Sequence, residues 1–335
     1  MTTAADSTLL KLTGRAGLLA TVPALLGFHP SESLVLMTLG GPRHRVGPIM
    51  RVDLAGDPPG LAGCLAEQAN SHGGEVVVLA YTEAPDPPAL LDRVLTELMT
   101  AGARVVDVMV VASGVARPYH SGGRPLLVPD ADHPATQELS AALAFCGKAV
   151  LPDRDALTRS VAGPTGARAD AVFPVFDRVA RELTELLEVT PAGAPDPLIE
   201  LARRTALSAM ADCDHHGTPT LANSVRLALL STDVTVRDDL IRCSFRQPDQ
   251  PWIPMLISAV AQVPDPQATE LCAALAVLAY RRGEGALAQV LCARVLGCEP
   301  EHRLVGLLLR AMAVAMPTEL LAALAEFEPG RAAAG

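Results

Sequence analysis

LLATVPALLGFHPSESLVLMTLGGPRHRVGPIMRVDL, residues 18–54, is the stretch whose reading decides the fold. Leu18, Leu19, Val22, Leu25 and Leu26 recur at helical spacing and predict a short apolar helix. Pro23 lacks the amide that a continuous helix needs, so two short pieces jointed at Thr21 or Val22 are expected, with Gly27 closing the second. The polar loop His29-Pro30-Ser31-Glu32-Ser33 leads into Leu34-Val35-Leu36-Met37-Thr38-Leu39, a run apolar on both sides of the pleat, which suits a strand buried on both faces. Gly40-Gly41-Pro42 turns the chain, and residues 46–54 return it as a second strand.

Outward from this pair the pattern alternates. A helix over 61–70 ends at Gly73-Gly74, and a buried-type strand follows at 75–81. A helix carries Leu90, Leu91, Val94, Leu95 and Leu98, Gly102 stops it, and RVVDVMVV at 104–111 is a third buried-type strand. This order predicts a mixed-sheet α/β domain with helices on the sheet, the first hairpin antiparallel and the helix-linked strands parallel. A short strand at 124–128 adds to the edge, and helices are expected at 134–145, from 153 to Gly163-Pro164, and over 169–189, interrupted or bent at Pro174. Three prolines within 190–197 cannot continue a helix and mark the boundary between an α/β domain, 1–190, and a helical domain, 191–330. In the second domain the helices expected are 198–212, 219–230, 236–242, 252–262, 267–281, 285–296, 301–315 and 317–327. Leu275, Gly283, Ala288 and Pro300 are spaced as in one tetratricopeptide-like helix pair, whereas a repeat array needs about three such units.

Three separated stretches carry a family resemblance: LLATVPALLGFHPSESLVLMTL with RVDL, LPDRDALTRSVAGPTGARA at 151–169, and LAYRRGEGALAQVLCARVLGCEP at 278–300. Together they resemble an uncharacterised actinobacterial family, domain of unknown function 4192. The resemblance spans most of the chain and implies no activity. Between Val111 and Pro152 this chain has only Cys146, so no cysteine chemistry is implied there.

Composition narrows the function classes. Half of the 335 residues are hydrophobic and 19% are charged, which ensures a sizeable core, and the 3% aromatic share means it is built from Ala, Leu and Val. The net charge of −10 disfavours nucleic acid as a partner. No signal-like leader or membrane-length apolar run is present, so a cytoplasmic protein is expected. The seven cysteines are irregularly spaced without Cys-x-x-Cys, and several of them, at helical apolar positions, read as small buried hydrophobes.

The candidate ligand-binding residues fall in three places. His29, Ser31 and Ser33 suit a polar ligand or a nucleophile and base, or they satisfy backbone groups in a tight turn; the Gly-x-Ser-x-Gly elbow is absent. Arg51 and Asp53 share one face of a strand, able to grip a ligand or to pair with neighbours. Arg117, Tyr119 and His120, with Arg124, lie beyond a strand end, where open α/β sheets bind ligands. Asp107, inside an apolar run, needs an internal partner such as Arg51 or Arg104. Gly163-Pro164-Thr165-Gly166 lacks the Gly-Lys-Ser/Thr ending of a phosphate loop. Asp212-Cys213-Asp214-His215-His216 is rich in donors, but consecutive residues point apart, so neither metal nor cofactor is expected. Trp252 suits core packing or a partner groove. These features favour a non-catalytic binding or scaffold protein with a protein partner on the helical domain. The competing reading is a small-molecule sensor or enzyme, with His29, Arg51, Tyr119 and His120 converging on one pocket.

Overall fold

The computed structural model describes residues 14–40, 45–56, 58–86, 88–120, 123–145, 148–189 and 196–317. The chain forms two compact units, Met1–Arg154 and Asp155–Gly335. The division thus falls before the proline-rich stretch read as the boundary, of which 190–195 lies outside the described residues, as does the helix expected at 317–327 apart from Pro317.

The first unit is built on a six-stranded sheet in the order β2-β1-β3-β4-β5-β6, with strands β1 (Ser33–Gly40), β2 (Arg45–Asp53), β3 (Glu75–Tyr81), β4 (Arg104–Ala112), β5 (Val115–Pro118) and β6 (Leu126–Leu127). β3 and β4 pair in parallel and every other pair is antiparallel, so the sheet is mixed as expected. β1 lies inside it, paired on both edges, which is why Leu34 to Met37 are all fully buried. On one face Leu34, Leu36, Val76, Val78 and Val108 form a core with α2 (Leu61–Ser71) and α3 (Ala89–Thr100). Val35, Met37, Val77, Leu79 and Met109 are equally buried on the other face. There Arg15 of α1 (Gly14–Leu26) holds Asp107 through a bidentate fork at 2.6 and 3.0 Å. Asp107 therefore takes neither Arg51 nor Arg104, a choice that follows from which helix covers its face.

Three further expectations are revised. α1 runs unbroken through Pro23, which removes a single i→i−4 hydrogen bond, and Gly27 N–H closes the last turn on Pro23 O at 2.8 Å. The Gly-rich segment after β4 contains a strand, β5, joined to β4 by a tight two-residue turn in which Ser113 and Gly114 have φ of +47° and +74°. β4 is buried only over its second half, since Arg104 and Val106 are exposed. α4 (Pro134–Phe145) packs with α1.

The second unit is helical: α5 (Arg154–Ser160) leads into it, followed by α6 (Ala167–Asp170), α7 (Phe173–Val189), α8 (Pro197–His216), α9 (Leu221–Leu230), α10 (Val234–Arg246), α11 (Trp252–Val260), α12 (Thr269–Arg281), α13 (Gly285–Cys298) and α14 (Arg303–Ala313). The helix expected over 169–189, interrupted or bent at Pro174, is interrupted just before it, between Asp170 and Phe173, and Pro174 sits in the first turn of α7, a position that tolerates proline. α12 is buried from Thr269 to Ala279 apart from Glu270, and α9, α10, α11, α13 and α14 pack around it. Arg294 of α13 ties this unit together. Its guanidinium donates to the carbonyls of Val161, Val260 and Val263 and grips Asp265 at 2.9–3.2 Å. Gly163 is required beside it, since a Cβ there would come within 2.5 Å of both Arg294 Nη2 and Val263 O.

Arg294→Ala strands these acceptors and Asp265, so it should cost ~3–5 kcal/mol in denaturant unfolding. Arg294→Lys should restore little of it, because an ammonium cannot span the fork. Unchanged stability in either variant would remove Arg294 from this role.

Candidate functional site

The sheet ends β2, β3 and β4 all finish on one rim, where the register pairs Asp53 with Ser33 and Ser33 with Tyr81. The loop between α1 and β1 is anchored here, because Phe28 bridges Leu151 and His29 N–H donates to Leu151 O at 3.1 Å. Ser33 is buried; its hydroxyl donates to Ser31 O at 2.5 Å and accepts from Arg51 Nε at 2.9 Å. Arg51 also binds Asp53 and lies 6.0 Å over the Phe28 ring, while Arg154 stands 3.7 Å from the other Asp53 oxygen. Ser31, Ser33, Arg51 and Asp53 are thus one connected group. His29 is exposed at its margin.

The sequence did not single out the next part of this rim. Glu32, at φ +41°, accepts from Thr82 Oγ1 and from Glu83 N–H, both at 3.0 Å. Glu83 in turn accepts from Ser113 N–H at 2.7 Å and Ser113 Oγ at 2.6 Å. These hydrogen bonds, the side-chain one foremost, hold the Glu83 carboxyl below its usual range. The signal was available: Thr82-Glu83 and Ser113-Gly114 directly follow buried-type strands, at the carboxyl ends where such sheets place ligands.

The remaining candidates lie elsewhere. Arg117 is exposed on β5, opposite Val110. Tyr119 packs against the core under α2 and α3, donates its hydroxyl to Asp92 of α3, and meets the His120 ring edge-on at 5.2 Å. Bonding to Asp92 raises the Tyr119 hydroxyl from its ordinary value. Arg51 is on edge strand β2, with β1, β3 and β4 between it and β5, about 19 Å at the usual strand spacing. Its neighbours Met50 and Val52 face the α2–α3 core, so Arg51 faces away from the side on which Tyr119 packs. The single pocket sketched from sequence therefore does not form; two separate polar groups stand in its place.

In the helical unit, Asp212 accepts from Thr220 N–H at 2.9 Å and Asn223 Nδ2 at 2.8 Å, which lowers its carboxyl and makes it a brace between α8 and α9. His215 and His216 are exposed beside the Gly217 cap. Trp252 is buried and lines a small apolar cavity with Leu227, Leu240, Leu256, Leu271 and Leu278. A donor set that the sequence reading missed is Glu270, Glu299 and His302, whose ligand-type atoms lie within 4.8 Å of one another. The chemistry of His302 does not suit a cation. Its Nδ1 accepts from Val305 N–H at 3.3 Å, so the neutral ring carries its proton on Nε2, 3.2 Å from Glu270 Oε1. Glu270 already holds Arg237 at 2.7 Å.

A mixed α/β unit followed by an all-helical one, with polar groups at the strand ends, defines the class of this protein. The chain belongs to the family described as domain of unknown function (DUF4192), whose model matches residues 16–319. No curated protein and no solved structure matches it.

Because Glu83 is depressed by Ser113, any stability it contributes is present above the unfolded carboxylate's pKa and lost as pH falls through the folded one. In an NMR pH titration, Ser113→Ala should move the Glu83 midpoint upward. An unmoved midpoint would mean the hydroxyl does not set it.

Proposed function

We propose that the protein is a cytoplasmic, non-catalytic binding protein that engages a protein partner through its helical unit. The observation carrying this reading is that the polar groups nominated for chemistry are divided between two faces of the sheet and engaged in internal contacts, Arg51 with Ser33 and Asp53, Tyr119 with Asp92. Free thiols at Cys213, Cys243, Cys272 and Cys292 suit a reducing compartment.

α7 supplies a surface for the partner. Its apolar stripe starts buried at Phe176 and Val179, then continues through the half-buried Leu183 and Leu186 to Leu187 and Val189, which are 51% and 77% exposed. A stripe that outruns its intramolecular packing is what an interaction helix presents. One feature favours the sensor reading instead: Glu32 keeps a left-handed backbone at the strand-end rim, and such conformations cluster at ligand sites.

The two readings separate in one experiment on the full chain. Wild type and Arg51→Ala should retain the same stoichiometric partner from native lysate, and Leu187→Glu should lose it with its melting temperature unchanged. The proposal is wrong if Leu187→Glu retains that partner fully, or if metabolites stabilise wild type but not Arg51→Ala.

A further inference from the structure

α10 and α12 run side by side in the same direction. Arg237 near the start of α10 holds Glu270 in the first turn of α12, and at the other end Phe245 lies under Arg281, its ring centroid 4.1 Å from the guanidinium carbon. Their C-terminal ends therefore lie at the same end of the pair, and three arginines stand on them: Arg246, Arg281 and Arg282. Among the described residues none of the three has a carboxylate within ion-pairing distance. Arg242, one turn before Arg246, must share Asp239 with Arg203, so it brings no spare negative charge. Glu284, the nearest acid in sequence, is engaged with another group.

Arginines at helix ends commonly offset the helix dipole, and that effect can be sized. Each C-terminus is equivalent to about half a negative charge, so two together offset roughly one of the three arginines. About two positive charges are left over, on a chain whose net charge is −10. Burial first, and then repulsion from Arg282, lowers the Arg281 guanidinium from its ordinary value, the sign of a charge without a counter-ion. Arg281 is half-buried and its guanidinium lies over the Phe245 ring. Arg246 and Arg282 are exposed.

We propose that the joined C-terminal ends of α10 and α12 form a binding site for a doubly charged oxyanion, a phosphate group. Planar guanidinium forks match phosphate oxygens in pairs, and a dianion balances the residual charge. Polyanions such as nucleic acid fit less well, because the surrounding chain repels extended negative charge. The site stands independently of the α7 partner surface, so failure of one leaves the other untouched.

The test is isothermal titration of the full-length protein with inorganic phosphate, and in parallel with a simple phosphate monoester, at constant ionic strength. Saturable binding of at least one is expected, without competition from acetate. Stronger binding of the monoester would mark an organic phosphate as the natural source, and stronger binding of the free ion would mark phosphate itself. Arg282→Gln and Arg246→Gln, both at exposed positions, should each bind ~10- to 100-fold more weakly. Without phosphate their melting temperatures should hold or rise, because repulsion is relieved. The proposal is overturned if neither probe binds, if the variants bind as wild type, or if they melt earlier in the absence of phosphate, which is the behaviour of dipole caps.

Discussion

One guanidinium organises the second unit. Helix ends leave carbonyls without intrahelical partners, and burying them costs free energy unless a donor is supplied. Arg294 supplies it to three carbonyls at once, Val161 just beyond α5, Val260 at the end of α11 and Val263 in the following loop, and takes its counter-charge from Asp265. Helices far apart in sequence are thereby fixed to α13 by one side chain that is itself 90% buried. The constraint explains a sequence feature without any ligand: the Val161-Ala162-Gly163 turn has glycine because Arg294 fills the space a Cβ would need.

The sheet unit follows a different rule. Its hydrophobic strands alone would leave Asp107 and the rim carboxylates unpaired, and each is instead met by a specific donor. Arg15 reaches from α1, Ser113 from a hairpin turn, and Thr82 from a strand end. The tight approach of β1 and β2 rests on the same logic, since Thr38 donates its hydroxyl to Pro48 O at 3.0 Å where Gly47 leaves room. Pro48 on an edge strand also discourages pairing with a further strand.

Much of the architecture was legible. β3 and α4 fall on the predicted residues, because Glu75–Tyr81 is a continuous apolar strand and Pro134–Phe145 starts and stops at clear punctuation. β5 was not, because Val115–Pro118 is four residues with an arginine and a proline and has neither length nor alternation. The partner of Asp107 was hidden for another reason. A strand shows that a carboxylate sits on a face, but the helix covering that face comes from topology, and Arg15 is 92 residues away. The candidate site divided in the same way. Ser33, named with the loop, and Arg51 and Asp53, named with the strand, form one group because hairpin register makes them neighbours. Tyr119 was assigned to their company only because strand ends attract attention, whereas its side chain belongs to the opposite face.

The distribution of arginine connects these points. Arg15, Arg203, Arg237 and Arg294 each close on a carboxylate, and three of the four do so with a fork that lysine cannot imitate. The Arg203–Asp239 pair shows the consequence: desolvation opposes the Asp239 charge, yet the fork outweighs it and the carboxyl titrates below its ordinary range. Arg237 and Arg294, whose side chains are buried, are matched in this way, and matching is what makes their burial tolerable. Against that background, the unmatched group at the ends of α10 and α12 differs in kind. Among the described residues the half-buried Arg51, Arg226, Arg242 and Arg294 have each been given an anion by the fold, and Arg281, which has not, marks a place where the anion comes from outside.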